Sequence, residues 1–428
     1  MAPLELSPHE TLAPPEPALA GDRSSWLFGE GRGAAVARRA LDTIPALLTW
    51  AIVLSPLWAG YFLPVPLALG VLAFDAYWLY LSLTTAWRAR AAFRQMREDT
   101  VADWRMQYRA ARVFGRTFMD WEDVRHLVII PSYKEDEAML SRTLASLARQ
   151  HDPEQLHVIL AMEARDPGAE LRARRLVRRY RHLFGGLYTT FHPAGLAGEV
   201  AGKSANEAWA ARWARQNLFG PGGLDLLRTT VTSCDADSVF HPSYFACLTF
   251  KFATDANRYR RFWQSAILLH NNIWESPSPL RVASALAGVH ILSNLVRRNR
   301  MMFPQSTYSL SMQMADDVGY WDTDVIPEDW HMFLKCFFAF RGRVHVEPIF
   351  LPTGNDAVLS GSYPASLRMA YVQHKRHAWG SSDVPYAILQ SVAHPEIPWR
   401  RKGRRLAALL GNHLIWATHW FILSLGWI

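Results

Sequence analysis

The chain has 428 residues, half of them hydrophobic and 12% aromatic, enough for a sizeable buried core. Its three cysteines, Cys234, Cys247 and Cys336, lack metal-ligand spacing and exclude a disulfide framework, so they are expected as small buried hydrophobes. The net charge of +8 suits anionic lipid, nucleic acid or an acidic substrate; arginine clusters flank apolar stretches and no nucleic-acid module is visible, so a membrane is expected and nucleic acid is not.

Residues 1–43 begin Pro-, Ala- and Glu-rich, without the charged-then-apolar pattern of a signal peptide, and read as a disordered cytoplasmic tail. Apolar stretches follow at 44–62 and 64–86, each close to the roughly 20 residues that cross a bilayer core. Pro64 and Pro66 mark the turn between them, giving a transmembrane helix pair over 44–87. A third stretch runs over 406–428. Arg38 and Arg39 precede the first span, Arg88, Arg90, Arg94 and Arg97 follow the second, and Arg400, Arg401, Lys402, Arg404 and Arg405 precede the third. The positive-inside rule then predicts an integral protein of the plasma (inner) membrane with its large middle region cytoplasmic. Trp50, Trp58, Trp78, Trp87, Trp399, Trp416, Trp420 and Trp427 lie in or beside these stretches, as tryptophans do at a membrane–water boundary. A buried soluble hairpin is the competing reading of the first two stretches. Asp75 falls inside the second span, where a carboxylate is costly unless paired.

Residues 88–125 read as a helical linker. Beyond it the pattern alternates: a strand at 124–130 stopped by Pro131, a helix at 138–150, a strand at 156–162, a basic-faced helix at 170–184, and a strand at 227–233 ending in an acidic turn. This predicts an α/β domain over 126–357 with a mostly parallel sheet and active residues at the carboxyl ends of strands.

The acidic turn is Cys234-Asp235-Ala236-Asp237-Ser238. Carboxylates at i and i+2 can meet one divalent cation, and hard oxygen ligands suit Mg²⁺ or Mn²⁺ bridging to phosphate. An ordinary solvated turn is the competing reading. Its context is Pro131-Ser132-Tyr133-Lys134-Glu135 after the first strand, Glu163 after the second, and Gly202-Lys203-Ser204-Ala205-Asn206 after a long Gly/Ala loop. Downstream come Pro327-Glu328-Asp329-Trp330 and Gln373-His374-Lys375-Arg376-His377-Ala378-Trp379. Asp329 precedes an apolar helical run, and a helix N-terminus holds a carboxylate well, either as a catalytic base or as a plain first-turn acid.

In this order the motifs resemble family 2 glycosyltransferases with the Rossmann-like GT-A fold, and most of all the membrane-bound branch containing cellulose and hyaluronan synthases. The resemblance implies that Pro131, Tyr133 and Glu135 border the nucleotide, with Glu163 beside the base. It implies that Lys203 meets the diphosphate, Asn206 holds its loop, Asp235 and Asp237 carry the donor phosphates and the metal, and Asp329 is the catalytic base. Gln373, Arg376 and Trp379 would close over donor or acceptor, Glu328 standing with them or serving as a structural acid. The implied reaction is inverting, metal-dependent transfer from a nucleoside-diphosphate sugar, UDP being the expected nucleotide, to a lipid-linked or glycan acceptor. A processive polysaccharide synthase and an inactive membrane scaffold are the other readings, the scaffold disfavoured by the presence of Asp235, Asp237 and Asp329.

Three departures stand out. Processive synthases place Trp directly after the Arg of Gln-x-x-Arg, whereas His377 and Ala378 intervene here; on a helix, Gln373, Arg376 and Trp379 still share neighbouring faces. Pro327 replaces the usual Thr, and Glu163 the usual Asp. Interfacial helices are expected over 358–405, a homo-oligomer or a further transmembrane partner is possible for three spans, and substrate choice is assigned to loops 263–275 and 303–318.

Overall fold

The computed structural model describes residues 32–220, 222–297 and 302–425. The chain opens with α1, Arg32–Phe62, and α2, Pro64–Thr100, which has Pro64 at its first position, where a missing N–H costs nothing. The last helix, here α13, runs Trp399–Leu425. All three are long and apolar enough to cross a membrane, and their most apolar windows are only 6%, 0% and 11% buried. Side chains such as Leu57, Tyr61, Leu69 and Leu72 face outward uncovered, which a buried soluble hairpin would not allow.

Boundaries shift relative to the sequence pattern. The expected tail is helical from Arg32 onward, and residues 1–31 lie outside the described residues, as do 426–428 of the third stretch. The linker over 88–125 is largely the continuation of α2 to Thr100, followed by α3, Trp104–Val113. At 1.5 Å per residue α2 far exceeds a bilayer core, and its later part buries Ala89, Ala92 and Met96 against the soluble domain.

That domain is built on an eight-stranded sheet in the order β3-β2-β1-β4-β7-β6-β8-β5. The strands are β1 Arg125–Ser132, β2 Leu156–Glu163, β3 Gly186–His192, β4 Thr229–Ser233, β5 Val239–Phe240, β6 Arg261–Leu269, β7 Tyr308–Ser311 and β8 His345–Asn355. Strands β1 to β4 are parallel, as are β6 and β8, while β7 and β5 run antiparallel to their neighbours. The helices between them are α4 Glu137–Ala148, α5 Ala169–Tyr180, α6 Lys203–Asn217, α7 Tyr244–Thr254, α8 Ser278–Leu295, α9 Met312–Asp317 and α10 Glu328–Ala339. After β8 come α11, Tyr363–Ala378, and α12, Asp383–Ala393.

The central strands alternate side chains between two cores. Leu127 and Ile129 of β1 join one core with α6, α9 and α10; Val128 and Ile130 join the other with α4, α5 and α7. Burial on both faces explains why these strands read as continuous apolar runs.

Four expectations need correction. β1 does not stop at Pro131: the Ile129 carbonyl accepts from Cys234 N–H, so Pro131 faces the same side, past the end of β4, where no ladder bond needs its missing N–H. Strand β3 lies within the long loop expected before Gly202, and a helix, α6, follows that loop where none was foreseen. The supposed loop at 263–275 is mostly β6, leaving only 270–275 as connection. The one at 303–318 contains β7 and α9, leaving 303–307 and Val318.

Candidate functional site

Pro131, Tyr133, Glu135, Glu163, Asp235 and Asp237 fall at or just past the carboxyl ends of β1, β2 and β4, where Lys203, Glu328 and Asp329 join them. Lys203 opens α6, and its Nζ lies 2.6 Å from Asp235 Oδ1 and 2.7 Å from Glu328 Oε1, and donates to the Ser306 carbonyl at 2.9 Å. Burial opposes the ammonium's charge, but Asp235, Glu328 and Glu207 outweigh it and hold Lys203 well above a lysine's usual value. One cation thus joins three segments distant in sequence. Glu328, in the first turn of α10, is this lysine's partner, and its helix has no side-chain cap.

Asp235 also accepts a short hydrogen bond from the Ser306 hydroxyl. Burial alone would raise its carboxyl; Lys203, Ser306 and the charge of Arg376 bring it below the normal range. Asp237 is held differently, its Oδ1 accepting from Asn355 Nδ2 and its Oδ2 from Asp356 N–H, both at 2.9 Å. Burial, then the neighbouring Asp235 charge, pushes Asp237 up to about 7. Asn271 Nδ2 donates to the Asp237 carbonyl and to Asp356, which is in turn paired with Arg142.

No three His, Cys, Asp or Glu side chains gather as a metal cage among the described residues. Asp235 and Asp237 form an open pair of hard oxygen donors, and that donor set fits Mg²⁺ or Mn²⁺, which commonly take one or two carboxylates and complete their shell with water and phosphate.

Asp329 sits in the first turn of α10. Its Oδ1 accepts from Trp330 N–H at 2.8 Å and its Oδ2 from Ser306 N–H at 3.1 Å. Burial, then the Glu328 charge, pushes it up to about 7. Ser306 therefore touches Lys203, Asp235 and Asp329 together, from a left-handed backbone (φ 58°) that a non-glycine residue adopts at a cost. Nothing in a lone serine of a Pro-Gln-Ser-Thr run marks it in advance.

At the end of β1, Glu135 accepts from Ser132 Oγ at 2.9 Å and from Tyr133 N–H, closing the turn around Lys134, itself at φ 67°. Tyr133 is exposed, with the Arg165 guanidinium 4.0 Å from its ring. Glu163 is buried and paired with Arg165 Nε at 3.1 Å. Asn206 donates to the Ala161 carbonyl at 2.7 Å, tying α6 to β2. Gln373 and Arg376 lie on α11, and Trp379 starts the 3₁₀ turn after it, exposed at 56%. All three cysteines are buried and free.

One network escaped the sequence entirely. His331, two residues beyond Asp329, has Nδ1 2.7 Å from Asp383 Oδ1 on α12 and Nε2 3.0 Å from Asp322 Oδ2. Asp322 also accepts from Lys335 at 2.5 Å, and its carbonyl accepts from Ser204 on α6. Burial opposes charge on His331, but the two carboxylates outweigh it and raise it to about 9. Since this exceeds the usual 6.5, its stabilisation is complete below about pH 6.5 and lost as pH rises through about 9. His331→Gln is accordingly expected to lower the apparent Tm in detergent at pH 6.5, with the gap to the parent shrinking by about pH 10; a gap independent of pH would show that the imidazolium does not brace these helices.

The family model for "Glycosyl transferase family group 2" matches residues 230–428, just under half of the chain. A search of curated proteins gives no match. Solved structures similar to the chain include a mannosyltransferase of Pyrobaculum calidifontis, in complex with GDP-Man and Mn²⁺, at 15% identity over 79% of this chain and 96% of that one, TM-score 0.44. Staphylococcus aureus TarS 1–349 with UDP-GlcNAc aligns at 13% identity over 71% and 90%, TM-score 0.37. Glucosyl-3-phosphoglycerate synthase of Mycobacterium tuberculosis, with Mn²⁺, UDP and phosphoglyceric acid, aligns at 14% over 65% and 80%, TM-score 0.36. The matched region, 230–428, takes in the acidic turn, Asp329 and the last apolar helix, and over it the chain is similar to the family 2 glycosyltransferases. The matches do not reach the narrower branch of cellulose and hyaluronan synthases.

Proposed function

We propose that the protein transfers a sugar, with inversion, from a nucleoside-diphosphate sugar (uridine being the first nucleotide to try) to a lipid-linked or glycan acceptor at the cytoplasmic membrane face. The observation that carries this reading is the meeting of Lys203, Asp235, Glu328 and Asp329 around Ser306, at the carboxyl ends of the strands where α/β sheets bind ligands. Asp235 and Asp237 would hold Mg²⁺ or Mn²⁺, which supplies charge to offset that of the diphosphate leaving group. Lys203 at the start of α6 and Arg376 on α11 add positive charge on the same side. Asp329 takes the proton of the acceptor hydroxyl as its oxygen bonds to the anomeric carbon and the bond from that carbon to the diphosphate breaks. Tyr133, backed by Arg165, offers a stacking surface for the base beside Pro131, Glu135 and Glu163.

Access to a cytoplasmic donor requires the charge-derived topology. A reporter fused before Arg38, or between Trp87 and Arg405, is expected to report cytoplasm, and one at Leu63 the opposite side. The reverse pattern would remove the site from its donor. Multiple turnover of a nucleotide sugar in excess chelator would separately reject the metal.

A further inference from the structure

Helix α8 lies in the chain between β6 and β7, which pair directly in the sheet, and its two faces differ. Inward, Ser284, Gly288, Leu292 and Leu295 are buried, Leu292 and Leu295 in the core cluster that holds Ala89, Ala92 and Met96 of α2. Outward, Val282, Leu286 and Val289 are exposed at 60%, 63% and 39%. These follow i, i+4, i+7 spacing and form one stripe. With Ala283 and Ala285 also exposed between them, the outward face is apolar apart from Ser278 at its start and His290.

The helix's place explains such a face. The apolar part of α2 ends at Ala86, so Ala89 and Met96 stand roughly 5 and 15 Å beyond it along the axis at 1.5 Å per residue. α8 therefore packs on the stretch of α2 that leaves the bilayer. Its flanks carry the side chains that favour a membrane boundary: Trp274, 80% exposed with the Arg281 guanidinium 5.2 Å from its ring, before and within the first turn, and Arg297 after the last. Arg281 also donates to the Trp274 and Ser276 carbonyls, which fixes the tryptophan's segment to the helix.

We infer that the outward face of α8, with Trp274 at its head, lies on the bilayer and takes the headgroup–acyl boundary of that membrane as its partner. The inference rests on reading α1, α2 and α13 as membrane spans. A second protein copy is the other occupant an apolar stripe admits. Continuity with α2 and the Trp and Arg flanks favour lipid. The consequence reaches the site, because the segment joining β6 to α8 carries Asn271, whose amide holds the Asp237 carbonyl. Seating α8 on lipid sets the height of the donor site above the membrane.

The test is nitroxide labelling of the full chain carrying Leu286→Cys in phosphatidylcholine vesicles with anionic phosphatidylglycerol. Collision rates with oxygen and with a water-soluble nickel chelate are compared, with Val282→Cys as a second variant and the unsubstituted protein as background for its buried cysteines. Labels at Leu72→Cys, 65% exposed on α2, and Arg174→Cys, 71% exposed on α5, give lipid and water references. The expected result is an oxygen-to-nickel ratio at Leu286 severalfold above that at Arg174 and approaching that at Leu72. A ratio equal to Arg174, with Leu72 in lipid, overturns the inference and leaves the spans standing. Low collision with both reagents means a protein covers the face, which also overturns it. If Leu72 itself reads as aqueous, the membrane reading has failed and the inference falls with it.

Discussion

Replacing Asp329 with Asn is expected to cut turnover by about a hundredfold or more, the scale for losing a positioned general base, while donor affinity stays near the parent value. The separation follows from position. Asp329 is held by the N–H groups of Ser306 and Trp330 and lies across Ser306 from Asp235, so its removal leaves Lys203, Asp235 and Asp237 in place. Asparagine keeps the shape and one acceptor oxygen, so one of the two N–H bonds survives. Burial and Glu328 push the Asp329 carboxyl to about 7, and a base works only when ionised. The parent kcat/KM is therefore expected to rise with pH through about 7 and level off above it, and that limb is expected to vanish in the variant. Parent-like turnover in Asp329→Asn would place the base elsewhere and leave Asp329 as a first-turn acid of α10.

Asp237→Asn is expected to act on binding instead. Donor affinity in Mn²⁺ or Mg²⁺ should fall by roughly ten- to a hundredfold, the range in which even supporting residues of a metal site act. The asparagine can still accept from Asn355 or from Asp356 N–H through its one oxygen, so the junction of β8 with the acidic turn is expected to survive. Calorimetric titration of donor with and without the cation checks this. The parent should lose affinity when the cation is withheld, and the variant should respond much less. Equal cation dependence in the two would show that Asp237 braces β8 and does not ligate.

How much of this was legible in the residues depended on local pattern. The three helices long and apolar enough to cross a membrane announce themselves by length and flanking arginines. Asp235, Asp237, Lys203 and Asp329 each follow a strand or open a helix with polar residues where apolar ones would continue. Strands β1, β2 and β4 showed as apolar runs because both faces are buried. Helix α6 did not show, since Ser204, Asn206 and Glu207 are buried beside alanines and blur its periodicity. Strand β3 follows Gly185, opens on Gly186 and has only a partly buried pattern. Pro348 and Pro352 disguise β8. Ser306, Asn271, Asn355 and the His331 network were invisible for a different reason: each is one polar residue whose meaning comes from a partner tens of residues away. The partner of Glu328 was hidden in the same way, because Lys203 lies on another helix.

The central claim is sugar transfer at the Lys203–Asp235–Asp329 centre, and product analysis addresses it most directly. The full-length protein in native membranes would be incubated with a panel of labelled nucleotide sugars and Mn²⁺, beside membranes carrying Asp329→Asn. The account predicts one preferred donor, release of its nucleoside diphosphate matched by label in a lipid or glycan product, and loss of both in the variant. No turnover of any donor, or equal product from parent and variant, would contradict it.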